Sequence, residues 1–172
     1  MKQLLIAVLF LLLLPFAVVA QPTLREKMLQ EKQGIDLESQ KAWEKAKEFI
    51  RIDSNFYAGH MLEGGFLYYR ASDLNGFARA IKPLEKAMAK IERDYIWPLK
   101  TRTSDLFEFF KVYQYQQDYC FIAYFLEQAY QNIEQPDKAM AVLRRVREKN
   151  MQMEFAVETF NTMAWLYHRN RV

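Results

Sequence analysis

The chain has 172 residues, with 24 lysines and arginines against 21 aspartates and glutamates and one cysteine. A net charge of +3 is too small to make nucleic acid or an acidic membrane surface the main partner, and the lone Cys120 excludes an internal disulfide framework. A hydrophobic content of 51% suits one domain with a respectable core, and the length is too short for two ordinary ones.

The first twenty residues stand apart. Met1-Lys2-Gln3 carries one cation, Leu4 to Ala20 carries no charge, and Val18-Val19-Ala20 before Gln21 is a small-residue cleavage site. Residues 1–20 therefore read as a secretory signal peptide, which makes the protein exported, periplasmic or secreted. The alternative is an uncleaved membrane anchor, because 17 apolar residues reach the lower limit for spanning a bilayer. No cysteine follows the cleavage point, so lipid anchoring by the bacterial lipoprotein route is not expected. Cleavage removes Lys2 and leaves a single domain over 21–172 with 23 cations against 21 anions. Its stability must come from packing, and Cys120 is expected to serve as a small buried apolar residue.

Thr23-Leu24-Arg25-Glu26 has the form of a capping box, opening a short helix that Gly34 can close. Asp36 is expected to cap the next helix, which carries Trp43, Ala46, Phe49 and Ile50 on one face before Asp53-Ser54-Asn55 breaks the chain. A third helix is predicted from Tyr57 to Ala71. Gly59, Gly64 and Gly65 each cost it about 1 kcal/mol relative to alanine, so close approach of a neighbouring helix is expected there, the alternative being a ligand that touches bare backbone. Asp73-Leu74-Asn75-Gly76 reads as a turn, followed by a fourth helix from about Phe77 to Asp94. Pro83 predicts a kink within it or a fresh start near Lys82, and Tyr95-Ile96-Trp97-Pro98 ends it.

The longest helical pattern runs from Asp105 to Gln131, capped by Thr103 or Ser104. Leu106, Phe107, Phe109, Phe110, Tyr113, Cys120 and Tyr124 place apolar groups on more than one face, so the helix must be covered on two sides. Gln114, Gln116, Gln117 and Asp118 are expected to form its watery side, with a bend or break near 116–118. No strand is convincing anywhere, and the fold class is all-α, with about seven helices after the signal segment.

From Ala123 to Val146 the chain writes one helical hairpin. Ala123, Leu126, Glu127 and Tyr130 share a face, Gln135-Pro136-Asp137 punctuates, and Ala139, Val142, Leu143 and Val146 recur at i, i+3, i+4 and i+7. This order is similar to the tetratricopeptide repeat pattern of W-x2-L-G-x2-Y followed by Ala and Phe. Phe160, Met163, Ala164 and Tyr167 repeat the start 37 residues later, near the family's period of about 34. A weaker copy runs Gly64, Leu67, Tyr68, Ala71, Ala80, Leu84 and Ala87. The resemblance is clear over about 121–167 and weak over 38–92. Departures are Glu127, where the family has a small residue, and Met151, which replaces the common proline.

The resemblance implies antiparallel hairpins stacked as a short solenoid that binds a protein or peptide partner on its concave face. By analogy with the family, Phe121, Tyr124, Gln128, Gln131 and Asn132 face the groove in one unit, and Glu158, Asn161, Trp165 and His168 in the next. Glu154 to Arg171 reads as a first helix with no second helix to cover it. Its apolar face points to a solenoid cap, to self-association or to a longer polypeptide.

Chemical motifs are few. His60 and His168 lie far apart, and there is no H-E-x-x-H, Cys/His cluster, G-x-S-x-G or glycine loop after a strand. Asp36, Asp73, Asp105 and Asp137 sit where helix caps or first turns want carboxylates, and Arg144, Arg145, Arg147 and Lys149 where a helix C-terminus wants cations. We therefore expect an interaction module or scaffold with no catalytic residue, no metal and no cofactor. The alternatives are a membrane-anchored accessory subunit and a hydrolase with a site near His60, Glu63 and Tyr68.

Overall fold

The computed structural model describes residues 22–94 and 106–150. Among the described residues are six helices and no strand: α1 Leu24–Lys32, α2 Gln40–Ile52, α3 Tyr57–Tyr69, α4 Leu74–Asp94, α5 Leu106–Asn132 and α6 Pro136–Asn150. From α2 onward each helix packs on its successor, and α3 also touches α1 and α5. Short loops make α2/α3, α3/α4 and α5/α6 antiparallel neighbours. The expected all-α class is what the chain adopts, in an arrangement compatible with a helical repeat. The predicted signal segment, the caps Thr103 and Ser104, the Tyr95-Ile96-Trp97-Pro98 stop and the seventh helix over 154–171 lie outside the described residues. No helix among the described residues is long and apolar enough to cross a membrane.

The hairpin over α5 and α6 forms as its periodicity requires: Ala123, Leu126, Tyr130, Ala139, Val142, Leu143 and Val146 are all buried. At the end of α5, Gln135 N–H donates to the Tyr130 carbonyl at 2.9 Å and Glu134 N–H to the Gln131 carbonyl at 3.0 Å. That bond pair is a Schellman cap, and Glu134 takes the left-handed position with φ 59°. The three glycines of α3 mark close approaches. A Cβ on Gly59 would lie 2.8 Å from Ile50 Cγ1, one on Gly64 2.5 Å from Leu84 Cγ, and one on Gly65 3.0 Å from Leu37 Cδ1. Small residues at these positions let α2, α4 and the α1–α2 loop sit against α3, and the burial gained outweighs the helix propensity lost.

Helix starts are more local than the hydrophobic pattern suggests. Thr23 caps α1 through the expected capping box, with Thr23 N–H donating to Glu26 Oε2 at 2.7 Å, and Gly34 follows the helix at φ +73°. The cap of α2 is Ser39, not Asp36, which instead folds a turn by accepting from Glu38 N–H at 3.0 Å. Helix α4 begins at Leu74, not Phe77, because Asp73 Oδ1 accepts from Gly76 N–H at 2.7 Å and converts the predicted turn into a first helical turn. Pro83 does not restart α4. One missing backbone bond is outweighed by the buried stripe Ala80, Leu84, Ala87, Met88 and Ile91.

The expected break at 116–118 is absent, and the watery side assigned to that stretch is largely overturned. Gln116 and Asp118 are buried, Gln114 is half-buried, and of the four only Gln117 is exposed. The reason is tertiary. Lys32 of α1 and the Tyr57 hydroxyl of α3 both donate to the Asp118 carboxylate, and Gln114 Nε2 adds a third hydrogen bond at 3.1 Å. A carboxylate so satisfied can leave water. Cys120, expected to be buried, is half-buried.

Ion pairs tie the ends of the elements. Arg25 donates to Asp53 at 2.8 Å and to Asp94 at 3.0 Å, joining α1 to the end of α2 and the end of α4. Burial works against the Asp53 carboxylate, yet the Arg25 guanidinium and the amides of Asn55 and Phe56 hold its pKa below the usual range. Of the terminal cations of α6, Arg145 pairs with Glu92 of α4. Tyr119 donates to Glu92 at 2.9 Å, and Tyr130 donates to Glu85.

These phenols set an alkaline limit. Burial pushes Tyr115 from 10.0 up to about 12, and burial with the adjacent Glu92 and Glu85 carboxylates raises Tyr119 and Tyr130 as well. The folded chain holds these protons more tightly than the unfolded chain, so the stability they contribute is complete below pH 10 and declines as the pH rises toward 12. Ultraviolet titration is expected to show tyrosines ionising late and together with loss of helical circular dichroism. Ionisation of every tyrosine near pH 10 in a chain that stays folded would contradict this.

Candidate partner-binding face

Helices α3 and α5 meet through aromatic rings gathered around Phe125. Its ring centroid lies 4.3 Å from Phe121, 4.8 Å from Tyr68, and 5.3 Å from both Tyr69 and Tyr124, all with edge-to-face geometry. Phe77 at the start of α4 adds a contact to Tyr68 at 5.4 Å. Phe121, Phe125, Gln128 and Asn132 recur at helical spacing on α5, while Tyr68 and Tyr69 close the last turn of α3. Phe125 is 2% exposed and anchors the cluster; Tyr69 is 45% exposed and presents it to solvent. Tyr68, Phe121 and Tyr124 are half-buried between them.

Polar groups frame the rings. Gln128 Nε2 donates to Glu127 Oε2 at 2.7 Å, and Asn132 Nδ2 donates to the Gln128 carbonyl at 2.9 Å. Glu127, which accepts from Gln128, is fully buried. On the opposite rim, Leu37 packs over Gly65, and Arg70 donates to the Glu38 carbonyl at 3.1 Å, holding the α1–α2 loop beside Tyr69. Burial, Tyr124 and Glu127 raise the Tyr68 pKa against a hydrogen bond with Asn132. Burial followed by Glu38, Tyr124 and Asp36 raises that of Tyr69.

Of the partner-binding residues the resemblance implies, Phe121 and Tyr124 lie in the ring cluster and Gln128 and Asn132 in its frame. Gln131 is half-buried on the same helix. Glu158, Asn161, Trp165 and His168 lie outside the described residues. Two participants were not legible as site residues. Tyr69 lies unremarked within the helix expected from Tyr57 to Ala71, and Phe125 falls between the matched repeat positions. The Tyr68-Tyr69 doublet at a helix end was the available signal.

His60, Glu63 and Tyr68 do not come together. His60 is buried with Nε2 3.1 Å from the Ser54 carbonyl and Nδ1 3.7 Å from the Glu63 carboxylate. Tyr68 sits eight residues farther along α3, about 12 Å by helical rise, within the aromatic cluster. No group of three or more metal-ligating side chains occurs among the described residues. No family model, curated protein or solved structure matches this chain.

Proposed function

We propose that this chain is an exported interaction module of the tetratricopeptide-like helical repeat type, binding a peptide segment or partner helix through the face shared by α3 and α5. The observation that carries the reading is the ring cluster around Phe125, whose outermost member, Tyr69, is 45% exposed. Aromatic side chains offer large contact area at low entropic cost, and the amides of Gln128 and Asn132 beside them suit hydrogen bonding to a bound backbone. The contact of α3 with α5, non-consecutive helices, is also how first helices of successive hairpins stack in a repeat array. Export rests on the apolar run and cleavage site at the N-terminus.

Co-purification from the native host tests the proposal. The wild-type chain is expected to bring down a defined partner that Tyr69→Ala and Tyr124→Ala each lose, while Glu44→Gln on α2 retains it. Matching helical circular dichroism among the four proteins shows that binding, not folding, changed. An unchanged partner set in both tyrosine variants would end the reading. The same wild-type preparation, weighed intact, is expected to begin at Gln21; a mass beginning at Met1 would replace export with membrane anchoring.

A further inference from the structure

We propose that Asn75 is a self-modification site, an asparagine set to deamidate through Gly76 and held back by the Asp73 cap of α4.

Asp73-Leu74-Asn75-Gly76 has no part in the partner face, yet it holds the only asparagine of the chain that is followed by glycine. With no side chain to hinder it, a glycine nitrogen reaches the preceding carboxamide more readily than that of any other residue. Asn75 is exposed, so water has access to it. Gly76 is not freely exchangeable: a Cβ there would lie 2.9 Å from Ala71 Cα, a backbone atom that cannot swing aside. Tight packing of the turn therefore keeps the reactive pair together.

The reaction needs only water. The Gly76 main-chain nitrogen gives up its proton and bonds to Asn75 Cγ; the Cγ–Nδ2 bond breaks, and the Nδ2 group takes a proton and leaves as ammonia. Water then opens the cyclic imide. Splitting at Cγ leaves aspartate, whereas splitting at the main-chain carbon of residue 75 leaves isoaspartate, in which the chain runs through the former side chain.

Two features of α4 oppose the first step. Ring closure needs the Gly76 nitrogen to eclipse Asn75 Cβ, and a helical ψ of about −42° holds it away. That turn is fastened by Phe77 N–H, which donates to the Asp73 carbonyl at 3.1 Å. The attacking nitrogen is itself engaged, since Gly76 N–H donates to Asp73 Oδ1 at 2.7 Å, and a carboxylate beside an N–H opposes loss of its proton.

The products differ in what they do to the fold. Aspartate adds a negative charge to a first turn that has no acid, where the helix end favours one. Isoaspartate adds a carbon to the main chain between Leu74 and Gly76, which puts Phe77 N–H out of register with the Asp73 carbonyl. Phe77, whose ring lies 5.4 Å from Tyr68, is then drawn off the aromatic cluster. This chemistry is independent of what the cluster binds.

The test incubates the mature chain, Asp73→Ala and Asp73→Ser in warm, mildly alkaline buffer beside a synthetic peptide of residues 71–79, the tryptic fragment that carries Asn75. Mass mapping of that fragment counts the exchange of the amide for a carboxylate, and chromatography separates the aspartyl from the isoaspartyl form. The free peptide is expected to convert fastest, and the wild-type chain about tenfold more slowly or less, because the first turn must open before the ring can close. Asp73→Ala is expected to convert about fivefold faster than wild type, the factor set by one lost cap, while Asp73→Ser, which caps through its hydroxyl, stays close to wild type. Isoaspartyl chains are expected to exchange the Gly76 and Phe77 amide hydrogens faster than fresh ones. A wild-type chain that converts as fast as the peptide overturns the proposal, as does Asp73→Ala converting no faster than wild type with its helical circular dichroism intact. Should Asp73→Ala lose that signal, Asp73→Ser decides: peptide-like conversion in a folded Asp73→Ser chain overturns the proposal too.

Discussion

Replacing Asp118 by alanine is expected to destabilise the protein by about 3–5 kcal/mol, because it leaves a lysine ammonium buried without its counter-charge. Lys32 is 7% exposed and Asp118 3% exposed, so water cannot substitute for the lost carboxylate without opening the structure. The Tyr57 hydroxyl loses its acceptor in the same step. Since α1 is attached chiefly by this pair, by Arg25 and by buried Met28 and Leu29, the damage should concentrate there. Urea unfolding followed by circular dichroism measures the loss, and hydrogen exchange should quicken over Leu24–Lys32 before the rest. Lys32→Met combined with Asp118→Leu is expected to recover most of the stability, because it removes both charges. A loss below 1 kcal/mol for Asp118→Ala, about the size of an exposed pair, would show that the carboxylate is not buried in solution.

Gly64→Ala is expected to cost about 1–3 kcal/mol, although alanine is the better helix former by about 1 kcal/mol. The added methyl would stand 2.5 Å from Leu84 Cγ, 2.7 Å from Leu84 Cδ2 and 3.2 Å from the Leu84 backbone nitrogen. The side chain can move only by disturbing its packing, and the backbone contact remains, so α3 and α4 must separate. Leu84→Ala alone should cost about 2–5 kcal/mol through the cavity it leaves. The double variant should be less damaged than the two losses added together, since the methyl introduced by Gly64→Ala enters space the leucine vacated. Strict additivity in thermal or urea melts would mean the two residues do not touch.

Much of the fold was legible in advance where one helix makes its own case. The α5–α6 hairpin and the capping box at Thr23 follow from spacing and local hydrogen-bonding chemistry, and the glycines of α3 signalled the close approach of a helix that Gly59 and Gly64 meet, whereas Gly65 meets the loop residue Leu37. The two misplaced helix starts came from Asp36 and Asp73, each a carboxylate suited to either a turn or a cap. Which role it takes depends on the amide its oxygen reaches: Glu38 for one, Gly76 for the other. Pro83 does not restart the helix near Lys82 for a different reason, since a proline penalty is local while the burial that overrides it is spread along the whole face of α4.

By itself the amino-acid order determined the helical class, the hairpins and the stripes of apolar residues, because a period of 3.6 residues and a cap are properties of neighbouring positions. The grouping of Phe121 with Tyr124 came from the resemblance to the repeat pattern, not from periodicity. Only tertiary structure decided that Asp118 is buried, that Tyr69 of one helix joins Phe125 of another, and that Arg70 reaches back to the Glu38 carbonyl. Polarity along a chain reports what a side chain can do in water. Whether it meets water, a lysine or an aromatic ring depends on which distant helix is folded against it.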